Sequence, residues 1–207
     1  MWNDISPQWK TAFGEAWEAF RCGSVPIGAA LYDKDGNLMI RERNRCCDGD
    51  NVNRRIAHAE VNTLRRLDTE SCPELGSLVL YTTMEPCPMC MGMSVMSGIR
   101  RIRFAARDTY CGFTYLSDKD RYFAGKHLDI VHEGGELEFV QIAMQSVFEL
   151  ERISHGASDK VLAEFRSMRP EAVETAEKLF NSGILSKWSA ENLPAGELFD
   201  KILKNCK

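Results

Sequence analysis

His58-Ala59-Glu60 and Pro86-Cys87-Pro88-Met89-Cys90 bring together residue types suited to metal chemistry. An imidazole and a C-x-x-C pair of thiols are good zinc ligands, and a carboxylate stands two positions beyond the imidazole. A structural zinc site closes its coordination with a fourth protein ligand, whereas a catalytic site leaves that place to water. Three ligands plus a separate carboxylate fit the catalytic arrangement. Each part alone has a plainer reading. A C-x-x-C that opens a helix suits thiol redox or structural zinc, and a glutamate in a first turn commonly complements the helix dipole. The conjunction of both motifs at two helix starts, with one strand between them, points to catalysis.

H-x-E followed by P-C-x-x-C is the zinc-deaminase signature. The chain therefore resembles the cytidine/deoxycytidylate deaminase superfamily. Val25-Pro26-Ile27-Gly28-Ala29, the run Glu85 to Cys90 and Ala106-Arg107-Asp108 are most similar to guanine deaminases and tRNA adenosine deaminases, while Asn62 is a feature of deoxycytidylate deaminases. The resemblance covers roughly residues 7 to 130 and stops short of the last third of the chain. It implies zinc held by His58, Cys87 and Cys90, with Glu60 as the proton carrier that is not a metal ligand. It implies Asn44 and the backbone N–H of Ala59 as substrate contacts, and a homodimer or larger homo-oligomer. Asp108 and Gly112 would flank the pocket, where Tyr110, Phe113 or Tyr115 either stack on a base or pack the loop. Glu85 carries no assigned chemistry.

The elements that must position these residues follow in order. Ser6-Pro7 reads as a cap and first helical position, after which Trp9, Phe13, Trp17 and Phe20 recur at helical spacing and mark a core face. Residues 25–32 and 38–45 flank a glycine-containing turn and predict a hairpin. Arg41, Arg43 and Arg45 alternate along its second strand and are expected to face water, as are Arg54 and Arg55 in the loop 46–56. Helices are predicted from Ala57 to about Leu67 and from Pro86 to about Ser97, with strands at 78–82, 102–106 and 128–132. Both metal motifs then occupy first turns, where helix N-termini favour anionic ligands and thiolates. An amphipathic helix spans 136–153. The pattern gives a three-layer α/β/α sandwich with a mixed sheet of about five strands, and the family resemblance implies the same fold. Residues 1–155 form the deaminase-like domain; 156–207 form a helical extension of short helices separated by Pro170, Gly183 and Pro194.

The chain has 207 residues, eight cysteines and a formal charge of −4. The start has no basic segment leading into an apolar run, so a cytoplasmic protein is expected, with no membrane span. Cys22, Cys46, Cys47, Cys72, Cys111 and Cys206 are then expected as free thiols, mostly packed as small apolar residues. Residues 156–207 hold eight basic and eight acidic residues, so the negative balance lies in 1–155. This argues against affinity built mainly on phosphates.

The expected activity is zinc-dependent hydrolytic deamination of a nucleobase, nucleoside or related aminated heterocycle, a guanine-like small molecule foremost. The alternatives are adenosine-to-inosine deamination in tRNA and, from a different class, an inactive zinc-stabilised binding protein. Glu60 separates the last from the enzymes, because a structural site gains nothing from an acid/base carboxylate.

Overall fold

Ser6 takes an extended backbone (φ −66°, ψ 158°) and Pro7 fills the first helical position of α1 (Pro7–Arg21) in the computed structural model. The structure describes residues 1–49, 53–72 and 74–205. Trp9, Phe13 and Trp17 of α1 are buried together with Ala12, Ala16 and Ala19, so the stripe seen in the sequence is a core face. The hairpin follows as β1 (Gly28–Tyr32) and β2 (Leu38–Arg43). Its turn is held by Asp33, whose Oδ1 accepts the backbone N–H of Asp35 and of Asn37. At Gly28 an added Cβ would lie 2.1 Å from the carbonyl oxygen of Ala12, so α1 rests directly on the backbone of β1.

Next come α2 (Ala59–Arg65), β3 (Val79–Met84), α3 (Pro88–Met96), β4 (Arg101–Ala106), α4 (Arg121–Ala124), β5 (Asp129–His132) and α5 (Gly135–Ser154). The sheet runs β2-β1-β3-β4-β5. β1 is antiparallel to both neighbours, whereas β3, β4 and β5 are parallel. Parallel neighbours need a crossover, and α3 supplies it between β3 and β4. The sheet is the mixed five-stranded one expected. The short α4 was not expected from the sequence, since its four residues are too few to show a helical period.

Two apolar clusters lie on opposite faces of the sheet. Ala29, Leu31, Leu78 and Leu80 pack with Ala59, Leu64 and Ile99 on the side of α2 and α3. On the other side, α1 and α5 pack with the C-terminal helices α6 (Lys160–Met168), α7 (Pro170–Asn181), α8 (Ile184–Ala190) and α9 (Ala195–Lys204). α8 was also missed in the sequence, where only Gly183 and Pro194 bracket it. Phe199 of α9 meets Phe13 edge-on at 5.2 Å and Trp2 at 5.7 Å. The indole Nε1 of Trp17 donates to the carbonyl of Leu193 at 2.8 Å. The extension thus covers the aromatic side of α1, on the face of the sheet away from α2 and α3. No helix of the described residues is long and apolar enough to cross a membrane.

Because this core is shared, urea unfolding followed by tryptophan fluorescence should show one transition. Phe199→Ala, at a site 1% exposed, should lower stability by about 3–5 kcal/mol. A separate early transition for the C-terminal helices, with the remainder unaffected, would contradict the shared core.

Candidate active site

His58 and Cys87 are the N-cap residues of α2 and α3, one position earlier than the first-turn placement expected. Both backbones are extended there, with ψ of 154° and 172°, and neither side chain caps its helix. An N-cap side chain ordinarily folds back onto the first N–H groups. Here the imidazole and the thiol turn toward each other instead. Cys90, in the first turn of α3 and fully buried, completes the group.

The imidazole Nδ1 lies 3.7 Å from the Sγ of Cys87 and 3.5 Å from that of Cys90, and the two sulfurs are 3.6 Å apart. A tetrahedral zinc with bonds of about 2.3 Å to sulfur and about 2.0–2.1 Å to nitrogen has S···S and S···N edges of roughly 3.8 and 3.6 Å. The three atoms therefore have the spacing of one face of such a tetrahedron. No fourth His, Cys or carboxylate of the described residues shares that cluster. The imidazole donates to the backbone carbonyl of Arg55, which orients the ring.

Without metal the three groups share charge. The thiol of Cys90 donates to Cys87, which with His58 beside it brings the Cys87 pKa down to about 4. The same neighbouring thiolate, together with burial, drives Cys90 far upward. His58 is raised, chiefly by its hydrogen bond with Cys87.

Glu60 stands beside the trio, 3% exposed. Its Oε1 accepts from the Oγ1 of Thr82 at 3.0 Å, and its Oε2 lies 3.5 Å from the Sγ of Cys90. Burial raises its pKa above the ordinary carboxylate value. Asn44 is 2% exposed, and its Oδ1 accepts the backbone N–H of Cys46 at 2.9 Å. Its amide hydrogens have no partner among the described residues, so it can donate to a ligand. The N–H of Ala59, first residue of α2, likewise has no backbone carbonyl one turn before it.

Several supporting residues were not read from the sequence. Arg43 does not face water. Its guanidinium is buried and reaches Asp48 through two hydrogen bonds of 3.0 and 2.8 Å, with a third to the carbonyl of Asn44. The amide of Asn62 donates to the carbonyls of Arg43 and Ala57, joining the end of β2 to the residue before His58. Alternation along a strand cannot reveal such partners, because Asp48 belongs to the following loop. Arg41, Arg54 and Arg55 are exposed, as expected.

Glu85, given no chemistry above, clamps the segment 107–114. Its carboxylate accepts the N–H of Asp108 at 3.2 Å and the N–H of Thr114 at 3.1 Å, as well as the Thr114 hydroxyl. An added Cβ at Gly112 would lie 2.5 Å from both Glu85 Cδ and the carbonyl oxygen of Asp108, so the loop closes tightly over Glu85. Phe113 packs edge-on against Tyr115 and Phe123, while Tyr110 and Tyr115 stay exposed at 53% and 57%. Cys22, Cys46, Cys47, Cys72 and Cys111 are free thiols, but Cys22, Cys47 and Cys111 are exposed instead of packed. Cys206 lies outside the described residues.

Residues 5–106 match the cytidine and deoxycytidylate deaminase zinc-binding region. The tRNA-specific adenosine deaminase of Bacillus subtilis (strain 168) is 38% identical over 104 residues, covering 48% of this chain and 60% of that protein. The guanine deaminase of the same organism is 30% identical over 124 residues, covering 58% of this chain and 72% of that protein. A crystal structure described as a complex with 2,6-diaminopurine shares the fold, with a TM-score of 0.52 and 22% identity over 70% of this chain and 84% of that one. The chain belongs to the cytidine and deoxycytidylate deaminase family, whose shared region binds zinc.

Zinc uptake by the metal-free protein should release protons, because the thiol of Cys90 and any imidazolium at His58 must lose theirs, whereas Cys87 is already ionised near neutral pH. Affinity should rise with pH by about tenfold per unit for each proton released. Calorimetric titration in buffers of different ionisation enthalpy would show this, and buffer-independent heats would contradict it.

Proposed function

We propose that the chain is a zinc-dependent hydrolytic deaminase that replaces the exocyclic amine of a small aminated heterocycle by oxygen and releases ammonia, with a guanine-like base as the first substrate. The observation that carries this reading is the buried carboxylate of Glu60, which is bonded to a threonine hydroxyl and makes no ion pair with Arg or Lys among the described residues. Leaving a carboxylate so placed costs stability, and a purely structural metal site has no use for it.

His58 Nδ1, Cys87 Sγ and Cys90 Sγ would hold the metal. Bound zinc supplies a Lewis acid that makes water nucleophilic near neutral pH. With Oε1 engaged by Thr82, Oε2 of Glu60 is the oxygen that would take one proton from water and pass it to a ring nitrogen as the C–O bond forms. It would then take the second water proton, from the new hydroxyl, and pass it to the amine as the C–N bond breaks and ammonia leaves. An upward-shifted carboxyl suits both steps, since it must accept and donate near neutral pH. Asn44 would donate from Nδ2 to a ring nitrogen or carbonyl, with its oxygen fixed by Cys46. The N–H of Ala59 would make a second such contact at the start of α2.

A second reading, deamination of adenosine in tRNA, is favoured by the 38% identity to a tRNA-specific adenosine deaminase. It is opposed by the formal charge of −4 and the neutral extension. An ammonia-release screen over guanine, adenine, cytosine, their nucleosides and nucleotides, and triazines discriminates substrates. Salt-sensitive binding of tRNA would favour the second reading. Glu60→Ala should keep its zinc and lose kcat by about 10²- to 10⁴-fold. Undiminished turnover in that variant would remove Glu60 from the chemistry.

A further inference from the structure

Arg169, in the helical extension, stands between α6 and α7 immediately before Pro170. A residue before proline is disfavoured in the helical basin, and Arg169 takes φ −139° and ψ 66°. Its side chain leaves the extension and reaches Glu138 in the first turn of α5, with Nη1 3.0 Å from Oε2. The Glu138 side chain is 8% exposed. Its Oε1 lies 2.9 Å from the Nε2 of His132 on β5 and accepts the backbone N–H of Arg107 at 3.1 Å. Three segments therefore meet on one carboxylate, and one of them opens the loop 107–114.

That loop is at the rim of the candidate active site. Phe113 donates its N–H to the carbonyl of Pro86, next to Cys87, at 3.0 Å. Glu85 binds the N–H groups of Asp108 and Thr114, and its Oε2 lies 3.8 Å from the guanidinium of Arg107. The same guanidinium sits over the Phe104 ring at 5.6 Å, and that ring stacks on His132 at 5.0 Å. Arg107 is thus held twice, by its backbone through Glu138 and by its side chain near Glu85.

We propose that Arg169 is a positioning residue: through Glu138 it fixes the backbone of Arg107, and with it the loop 107–114 against which the substrate is held. The extension is then part of the substrate-binding apparatus, although it packs on the face of the sheet away from the metal trio. The proposal rests on the deaminase reading for its kinetic consequence, but not for its structural one. Arg169 touches neither the metal trio nor Glu60, so its loss should act on substrate binding and leave the metal in place.

The test uses the zinc-loaded full chain as wild type, Arg169→Ala, Arg169→Lys and Glu138→Gln. Hydrogen–deuterium exchange should show faster exchange at Arg107, Asp108 and Thr114 in Arg169→Ala, with bound zinc unchanged. With the substrate identified by ammonia release, KM should rise about tenfold while kcat changes little, and Arg169→Lys should restore part of the loss. Glu138→Gln should behave like Arg169→Ala. Unchanged exchange in 107–114, or a lowered melting temperature with wild-type KM, would overturn the proposal. Absence of ammonia release by the wild type from every compound would instead strike the deaminase reading, while the exchange measurement would still decide the coupling.

Discussion

Two N-cap side chains that turn toward each other, and not back onto their own helices, set the constraint that the rest of the structure serves. A side-chain cap contributes about 1 kcal/mol to a helix, and α2 and α3 both begin without one. Pro88 eases this at α3, because a proline at the first position has no N–H to satisfy. α2 is only seven residues long, so packing must hold it. Ala59 and Leu64 bury against β1 and β3, and Asn62 ties the helix to the end of β2. Metal binding would add its own free energy to this pair of starts, since zinc binds the folded arrangement.

The opposite face supplies the rigidity. α1 carries four large aromatic residues on one stripe, Trp9, Phe13, Trp17 and Phe20, and all four belong to the apolar cluster on this side of the sheet. α9 closes over Phe13, and Leu193 takes the Trp17 indole proton. Gly28 lets α1 approach the sheet backbone closely, which fixes β1 and hence the strand positions leading to Asn44. The N–H of Asn44 in turn donates to the carbonyl of Ile27, so helix, hairpin and candidate substrate contact form one connected unit.

Most of this architecture was legible as local pattern. Apolar periodicity placed α1, α5 and the strands within a few residues, and the two motifs name three side chains that the fold brings within reach of one metal ion, with Glu60 beside them. What the pattern could not carry was long-range pairing. Arg43 reads as a solvated strand charge until Asp48 is seen folded back beneath it. Glu85 reads as a motif residue without a task, because its partners Asp108 and Thr114 lie more than twenty positions away. Thr82 did leave a signal: hydroxyls interrupt an otherwise apolar strand just before the cysteine motif, and one of them bonds Glu60. The route from Arg169 to Arg107 left none, since it depends on which elements α5 happens to bring together.

The buried carboxylates of the chain argue for chemistry at one of them. Glu42 is paired with Arg45 and Arg66, and Glu149 with Arg152. Glu138 has Arg169 and His132, and Glu85 has two backbone N–H groups, a hydroxyl and Arg107. Each of these four has an Arg within salt-bridge distance. Glu60 differs. It has one hydroxyl donor, sulfur on its other side and no Arg or Lys partner among the described residues; burial raises its pKa, as it does that of Glu149, but Glu149 keeps Arg152. A carboxylate required only for stability would be expected to resemble the other four. The one buried carboxylate without a cationic partner among the described residues is also the one beside the His58, Cys87 and Cys90 trio, where the proposed proton transfers would use it.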